Sequence, residues 1–240
     1  MTEIVTFYGT DGSGKSTIAR EFSRLNEQDA SIMLGGSDYK SWLTPEVAKL
    51  TLGEKHALAE TPCNIKENLR LYEDIAIACY GFARILAKGG SEVVIDSDPF
   101  FKRIIWGTLG LDENSAKQYV LHFEDRLIEA LGETEGPDVI VGVNMNDDNA
   151  SRNDLLKRLS YRESNTSHDP TDIETLTALD NQVKVIWGEI NLGVVGLSRL
   201  TSFNRRTFKS DIHSVQNPTC PPEQIASQAK MIALDLRSKI

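Results

Sequence analysis

The sequence predicts an α/β fold, a three-layer sandwich in which a parallel sheet of about five strands carries helices on both faces. Three observations carry that prediction. Short apolar runs of strand length alternate with longer stretches whose apolar residues recur at helical spacing. A glycine-rich turn joins the first strand to the first helix, and the apolar run Val93-Val94-Ile95 delivers a carboxylate, Asp96, at its carboxyl end.

The elements follow in order. Residues 4–8 form a strand, and 15–24 a helix that leaves the glycine-rich turn. A second strand at 30–34 ends at Gly35-Gly36. Over 64–88 the apolar Leu69, Tyr72, Ile75, Ala76, Cys79, Phe82, Ala83 and Leu86 fall at helical spacing, and Gly89-Gly90 stops the pattern. A third strand at 92–96 precedes a helix at 115–131, with Ser115 as its N-cap. After Gly136-Pro137 comes a strand at 138–143. Residues 149–163 and 171–189 read as helices separated by a polar, turn-rich stretch, and 193–197 reads as a weaker strand. Residues 199–222 begin basic and become proline-bearing without a clear period, and within them Asn204–Lys209 suits a solvated loop. A final amphipathic helix spans 222–238. Strand alternating with helix implies parallel βαβ units. The expectation is one domain over residues 1–240, with a helical lid at about 149–170.

Bulk properties narrow the function classes. The 240 residues are 40% hydrophobic and 25% charged, as in ordinary globular chains, and the net charge is −9. That acidity disfavours a protein built to grip a nucleic-acid backbone, an affinity that comes from Lys and Arg neutralising phosphates. Cys63, Cys79 and Cys220 are odd in number and form no C-x-x-C pair, so they read as reduced thiols rather than disulfides or zinc ligands. No apolar run reaches the roughly 18 residues that span a bilayer, and the amino terminus lacks the pattern of a secretory signal. A cytoplasmic protein without a membrane partner is expected.

Gly9-Thr10-Asp11-Gly12-Ser13-Gly14-Lys15-Ser16 fits G-x-x-x-x-G-K-[ST], the phosphate-binding P-loop, and Thr17 extends it. The glycines let successive amides turn inward around a phosphate. The helix starting near Lys15 points its positive dipole end at the same anion. Lys15 supplies a mobile charge for the β- and γ-phosphates, and the Ser16 hydroxyl can ligate Mg²⁺. The acid that completes the magnesium shell belongs at the end of a neighbouring strand, where Asp96 stands. Asp138 starts its strand, on the wrong edge for such a site, and Asp147-Asp148 precede a helix and suit capping. A P-loop NTPase-type fold binding ATP and Mg²⁺ follows.

Residues 6–17 (Thr-Phe-Tyr-Gly-Thr-Asp-Gly-Ser-Gly-Lys-Ser-Thr) resemble the opening of thymidylate kinases, and the order of later elements is similar over most of the chain. The resemblance implies that Asp11 faces the acceptor sugar's hydroxyl and that Arg158 and Arg162, one helical turn apart, close over the transferring phosphoryl. It also implies a homodimer. Three places depart from the family's pattern. Its third strand ends Asp-Arg-Tyr/Phe, where this chain has Asp96-Ser97-Asp98; its Thr-Arg-Glu-Pro is replaced by Leu34-Gly35-Gly36-Ser37-Asp38; and Asp74-Ile75 stands where its long helix carries Asp-Arg. Those arginines hold the acceptor's monophosphate. Either other cations (Lys40, Arg70, Lys102 or Arg103) replace them, or the acceptor offers only a hydroxyl and needs a general base. Asp38, Asp96 and Asp98 are then the candidates; Asp38 matches the position where the related deoxynucleoside kinases place theirs.

Three functions remain open. The first is an ATP-dependent kinase for a nucleoside or nucleoside monophosphate. The second is a kinase for a hydroxyl of a polynucleotide or of a modified base in DNA, suggested by the basic run Asn204–Lys209. The third is a P-loop nucleotide-binding module without kinase activity.

Overall fold

Every residue of the first strand, β1 (Ile4–Tyr8), is buried, as happens only where a sheet is covered on both faces. Its side chains divide by the two-residue period of a strand. Ile4 and Tyr8 join one apolar cluster; Val5 and Phe7 join the other. The computed structural model describes residues 3–10, 13–26, 32–34, 66–96, 112–132, 136–143, 173–192, 206–210 and 222–240.

Among the described residues, four further strands join the sheet: β2 (Ile32–Leu34), β3 (Val93–Ile95), β4 (Val139–Val143) and β5 (Arg206–Ser210). Their spatial order is β2-β3-β1-β4-β5, and every pair is parallel. The described helices are α1 (Lys15–Arg24), α2 (Lys66–Lys88), α3 (Glu113–Leu131), α4 (Ile173–Leu192) and α5 (Pro222–Lys239). On one face, α2, α3 and α4 supply Cys79, Ala83, Phe123, Leu127, Val183 and Trp187 to the first cluster. On the other, α1 and α5 supply Ile18, Phe22, Ala233 and Leu236 to the second. The three layers are those the alternating pattern predicts.

Two expectations are corrected. The sheet's fifth strand is Arg206–Ser210, paired along β4 from Val139↔Arg206 to Val143↔Ser210, and not part of a solvated loop. Among the described residues it has β4 as its only neighbour, and an edge strand tolerates charged residues that a central one excludes. A search for apolar runs therefore passes over it. The weaker strand expected at 193–197 and the lid at about 149–170 lie outside the described residues. Second, α3 is capped by Asp112 rather than Ser115. The Asp112 carboxylate accepts from the backbone N–H groups of Asn114 (3.0 Å) and Ser115 (3.1 Å), so the helix starts earlier. Both residue types cap well, and only the backbone decides between them.

At the amino edge of the sheet, polar groups meet one another. Asp138 accepts from the Ile4 N–H at 2.8 Å and from Arg84 at 3.4 Å, while Arg84 also donates to the Gly136 carbonyl. Arg237 of α5 grips both oxygens of Glu92, which stands just before β3, and donates to the Phe22 carbonyl at 2.7 Å. Its guanidinium lies 3.7 Å from the centre of the Phe22 ring, a cation–π contact. One side chain thus ties α5, α1 and β3 together.

Candidate functional site

The strand order decides where a ligand can sit. Chain connections leave β1 and β3, which are neighbours, in opposite directions: β1 leads outward to β2, and β3 leads across β1 to β4. A crevice forms outside the carboxyl ends of two such strands. Ile95 is in register with Thr6, so Asp96 leaves the sheet at the edge where β1 runs into Gly9.

The loop is shaped by its glycines. Gly14 has φ 89° and ψ 7°, a left-handed conformation that other residues adopt at a cost, and it is the N-cap of α1. A Cβ on Gly9 would lie 2.6 Å from the Val143 carbonyl oxygen, so only glycine allows the loop to pass so near β4. Gly14 brings no side chain to cap the helix, and the first turn of α1 carries no acidic residue. The orphan N–H groups and positive dipole end are thus left for an outside anion.

Lys15, the first residue of α1, is only 8% exposed, and its Nζ donates to the Thr10 carbonyl at 3.3 Å. The same carbonyl accepts from the Ser13 N–H at 3.1 Å. Ser13 is itself buried, and its Oγ has no hydrogen-bond partner among the described residues. The same holds for Oδ1 of Asp96. Buried polar atoms normally find partners, so two such atoms flanking a phosphate loop fit a site completed by its ligand.

The residues present fit a magnesium–nucleotide complex. Asp96 brings an oxygen without a hydrogen-bond partner among the described residues, Ser16 stands partly buried at the helix start, and Lys15 brings a cation. Magnesium keeps several waters and takes one or two protein oxygens beside the phosphates. The lack of any three-acid cluster among the described residues is compatible with that mode. Of the other residues expected at the site, Gly9, Ser13, Gly14, Lys15, Ser16 and Thr17 all lie on this loop and helix start. Asp11, Gly12, Asp38, Arg158 and Arg162 lie outside the described residues.

Sequence reasoning missed a buried partner of the loop. The Thr10 hydroxyl donates to Oδ1 of Asp180 on α4 at 2.9 Å, and Oδ2 of Asp180 meets Lys184 at 3.0 Å. Asp180 interrupts the apolar stripe of Leu176, Leu179 and Val183. A carboxylate on a core-facing stripe is costly unless paired, and that was the available signal. Trp187 stacks on Tyr8 with ring centres 5.9 Å apart. Gly142 makes room for it, since a Cβ there would stand 2.6 Å from the indole.

No protein-family model matches the sequence, and no curated protein matches it either. Solved structures do match. A deoxyadenosine kinase from M. mycoides with bound dATP superposes with TM-score 0.53 at 14% identity, covering 98% of this chain and 99% of its own. The same enzyme with products dCMP and a flexible dCDP bound gives 0.51 at 15%, covering 99% and 100%. Thymidylate kinase from Candida albicans gives 0.55 at 13%, covering 100% of this chain and 94% of its own. The chain has a thymidylate and nucleoside kinase-like P-loop fold. At such identities the likeness is one of fold, and it spans the full chain. Among the described residues, no helix is long and apolar enough to cross a membrane.

Proposed function

We propose that this chain is an ATP-dependent phosphotransferase, moving the γ-phosphoryl of ATP to a nucleoside or a nucleoside monophosphate. The observation that carries the reading is the set of unsatisfied groups at the switch point: the uncapped start of α1, the Ser13 Oγ and the Asp96 Oδ1. Structural neighbours that are nucleoside and nucleotide kinases support the same class.

The loop amides from Gly9 to Thr17 hold the triphosphate, and Lys15 leaves the Thr10 carbonyl to neutralise the β- and γ-phosphates. Ser16 and Asp96 would hold Mg²⁺, which when bound draws charge from the phosphate oxygens. Arg158 and Arg162, on a lid at about 149–170 of a single domain, neutralise the equatorial oxygens as the phosphoryl moves. Asp38 takes the acceptor's hydroxyl proton where the acceptor carries no phosphate, and Asp11 orients that hydroxyl. The reading includes a cytoplasmic homodimer. A mononucleotide-sized acceptor is favoured over a polynucleotide because a net charge of −9 opposes an extended phosphate backbone.

A coupled ATPase assay over nucleosides, nucleoside monophosphates and oligonucleotides tests this. One of the first two classes should stimulate turnover, and Lys15→Ala should lower it by about 100-fold or more. Stimulation by oligonucleotides alone would move the acceptor to nucleic acid. Slow turnover indifferent to every acceptor would make the chain a binding module, and full activity in Lys15→Ala would end the P-loop reading.

A further inference from the structure

The loop is fastened from outside its own motif. Helix α4 lies against the end of β1 through three contacts in succession. The Tyr8 hydroxyl donates to the Val183 carbonyl at 2.7 Å, the Tyr8 ring stacks on Trp187, and the Thr10 hydroxyl donates to Asp180 at 2.9 Å. Thr10 is 3% exposed and Asp180 1%. Such a bond, shielded from water and made to a charged acceptor, is among the stronger ones a protein makes.

Thr10 is the node at which this fastening meets the phosphate chemistry. Its carbonyl accepts from the Ser13 N–H and also from Lys15 Nζ. A residue that rotated there would turn the loop's inner amides and move the lysine's resting place. Asp180 prevents the rotation by holding the side chain of the same residue. Lys184, at 3.0 Å from the far oxygen, offsets the buried charge and orients the carboxylate.

We infer that Thr10 and Asp180 are positioning residues for nucleotide binding: α4, through this one hydrogen bond, holds the phosphate loop in its receptive shape and acts through Lys15 and the loop amides. The inference rests on the phosphotransferase reading for its kinetic consequence but not for its structural one. The P-loop pattern leaves the residue after its first glycine unspecified, so the assignment of Thr10 comes from the Asp180 contact alone.

Four variants separate the roles. Thr10→Val keeps shape and volume but removes the donor; Thr10→Ser keeps the donor. Asp180→Asn keeps an oxygen that accepts from Thr10 but removes the charge that Lys184 meets; Asp180→Ala removes both. Amide exchange of residues 13–18 is followed in the nucleotide-free protein, with kcat and KM for ATP and for the acceptor. Thr10→Val and Asp180→Ala should speed that exchange and lower kcat/KM for ATP by about 10- to 100-fold, the scale of a small misplacement of a reacting group. The acceptor's KM should stay within about twofold. Thr10→Ser should remain within about threefold of the unaltered chain on every measure, a rescue that mere loss of packing would not give. Asp180→Asn should melt earlier while its loop amides stay protected.

If Thr10→Val binds ATP and exchanges its loop amides as the unaltered chain does, the inference is overturned and the phosphotransferase reading stands. If the unaltered chain binds no nucleotide while Thr10→Val still loosens the loop, the fastening holds and the phosphotransferase reading falls.

Discussion

The two edges of one sheet are treated differently. At the amino edge, Asp138 meets Arg84 and the Ile4 amide, and Glu92 meets both nitrogens of Arg237. At the carboxyl edge, the buried atoms Oδ1 of the partly buried Asp96 and Oγ of Ser13 have no hydrogen-bond partner among the described residues. The strands joining these edges are the same, so the contrast is not one of burial. The carboxylates of the two edges are what differ: Asp138 and Glu92 are spent on the fold, while Asp96 keeps an oxygen for a ligand, as is expected where function overrides stability.

The sharpest way to break the comparison is Asp96→Asn. If Asp96 serves the magnesium–phosphate chemistry, loss of its charge should lower kcat by about 100-fold, the scale seen for removal of one transition-state contact. The melting temperature should hold or rise, since the change removes the charge of a partly buried carboxylate whose buried oxygen is unsatisfied. Thermal unfolding beside single-turnover kinetics reads both. A fall in stability with activity intact would make Asp96 a carboxylate of the amino-edge kind and erase the contrast.

The next largest effect should appear at the opposite edge. The Arg237 and Glu92 side chains are 21% and 12% exposed. Arg237→Ala strands a mostly buried carboxylate and opens the Phe22 carbonyl, and breaking a fully buried pair costs about 3–5 kcal/mol. Partial exposure brings the expectation to about 2 kcal/mol, or roughly 4–8 °C in a chain of this size. Activity per folded molecule should be unchanged. Denaturant unfolding with kinetics below the transition checks both halves, and a kinetic loss in the folded protein would blur the division between edges.

What the sequence disclosed follows the range over which each signal acts. The loop from Gly9 to Thr17, the strand before it and the helix after it are contiguous, so residue type alone identifies them. The apolar run ending at Asp96 is equally local, and with the alternation of elements it was enough for the three layers. The fifth strand was hidden because an edge strand need not be apolar: Arg206-Thr207-Phe208-Lys209-Ser210 mixes charge with β-formers. The Thr10–Asp180 bond was hidden by distance, its partners being 170 residues apart in sequence. The two candidate caps of α3, Asp112 and Ser115, are each suitable by type, and the choice fell to backbone geometry.

That cap sharpens the comparison with the smallest effect, because it sets a satisfied carboxylate beside the unsatisfied one. Asp112 opens the helix that returns the chain from β3 towards the start of β4. Both its oxygens are engaged, with the Ser115 hydroxyl donating at 2.6 Å and the backbone N–H groups of Asn114 and Ser115 completing the set. The Ser115 hydroxyl foremost, then these amides, hold its carboxyl below the ordinary carboxylate range. A depressed folded-state value means that the cap's contribution is complete above the unfolded-state pKa. It fades as the pH falls through the lowered one, when the proton displaces the donors. Carboxyl-resolved NMR titration should therefore give Asp112 a midpoint below that of an unstructured aspartate. Amide exchange at Asn114 and Ser115 should quicken in acid below it. Magnesium with nucleotide should leave the Asp112 signal unmoved, because its oxygens already have their donors, while the Asp96 signal shifts. Movement of Asp112 on nucleotide binding would show that satisfied and unsatisfied carboxylates at this edge belong to one responsive site.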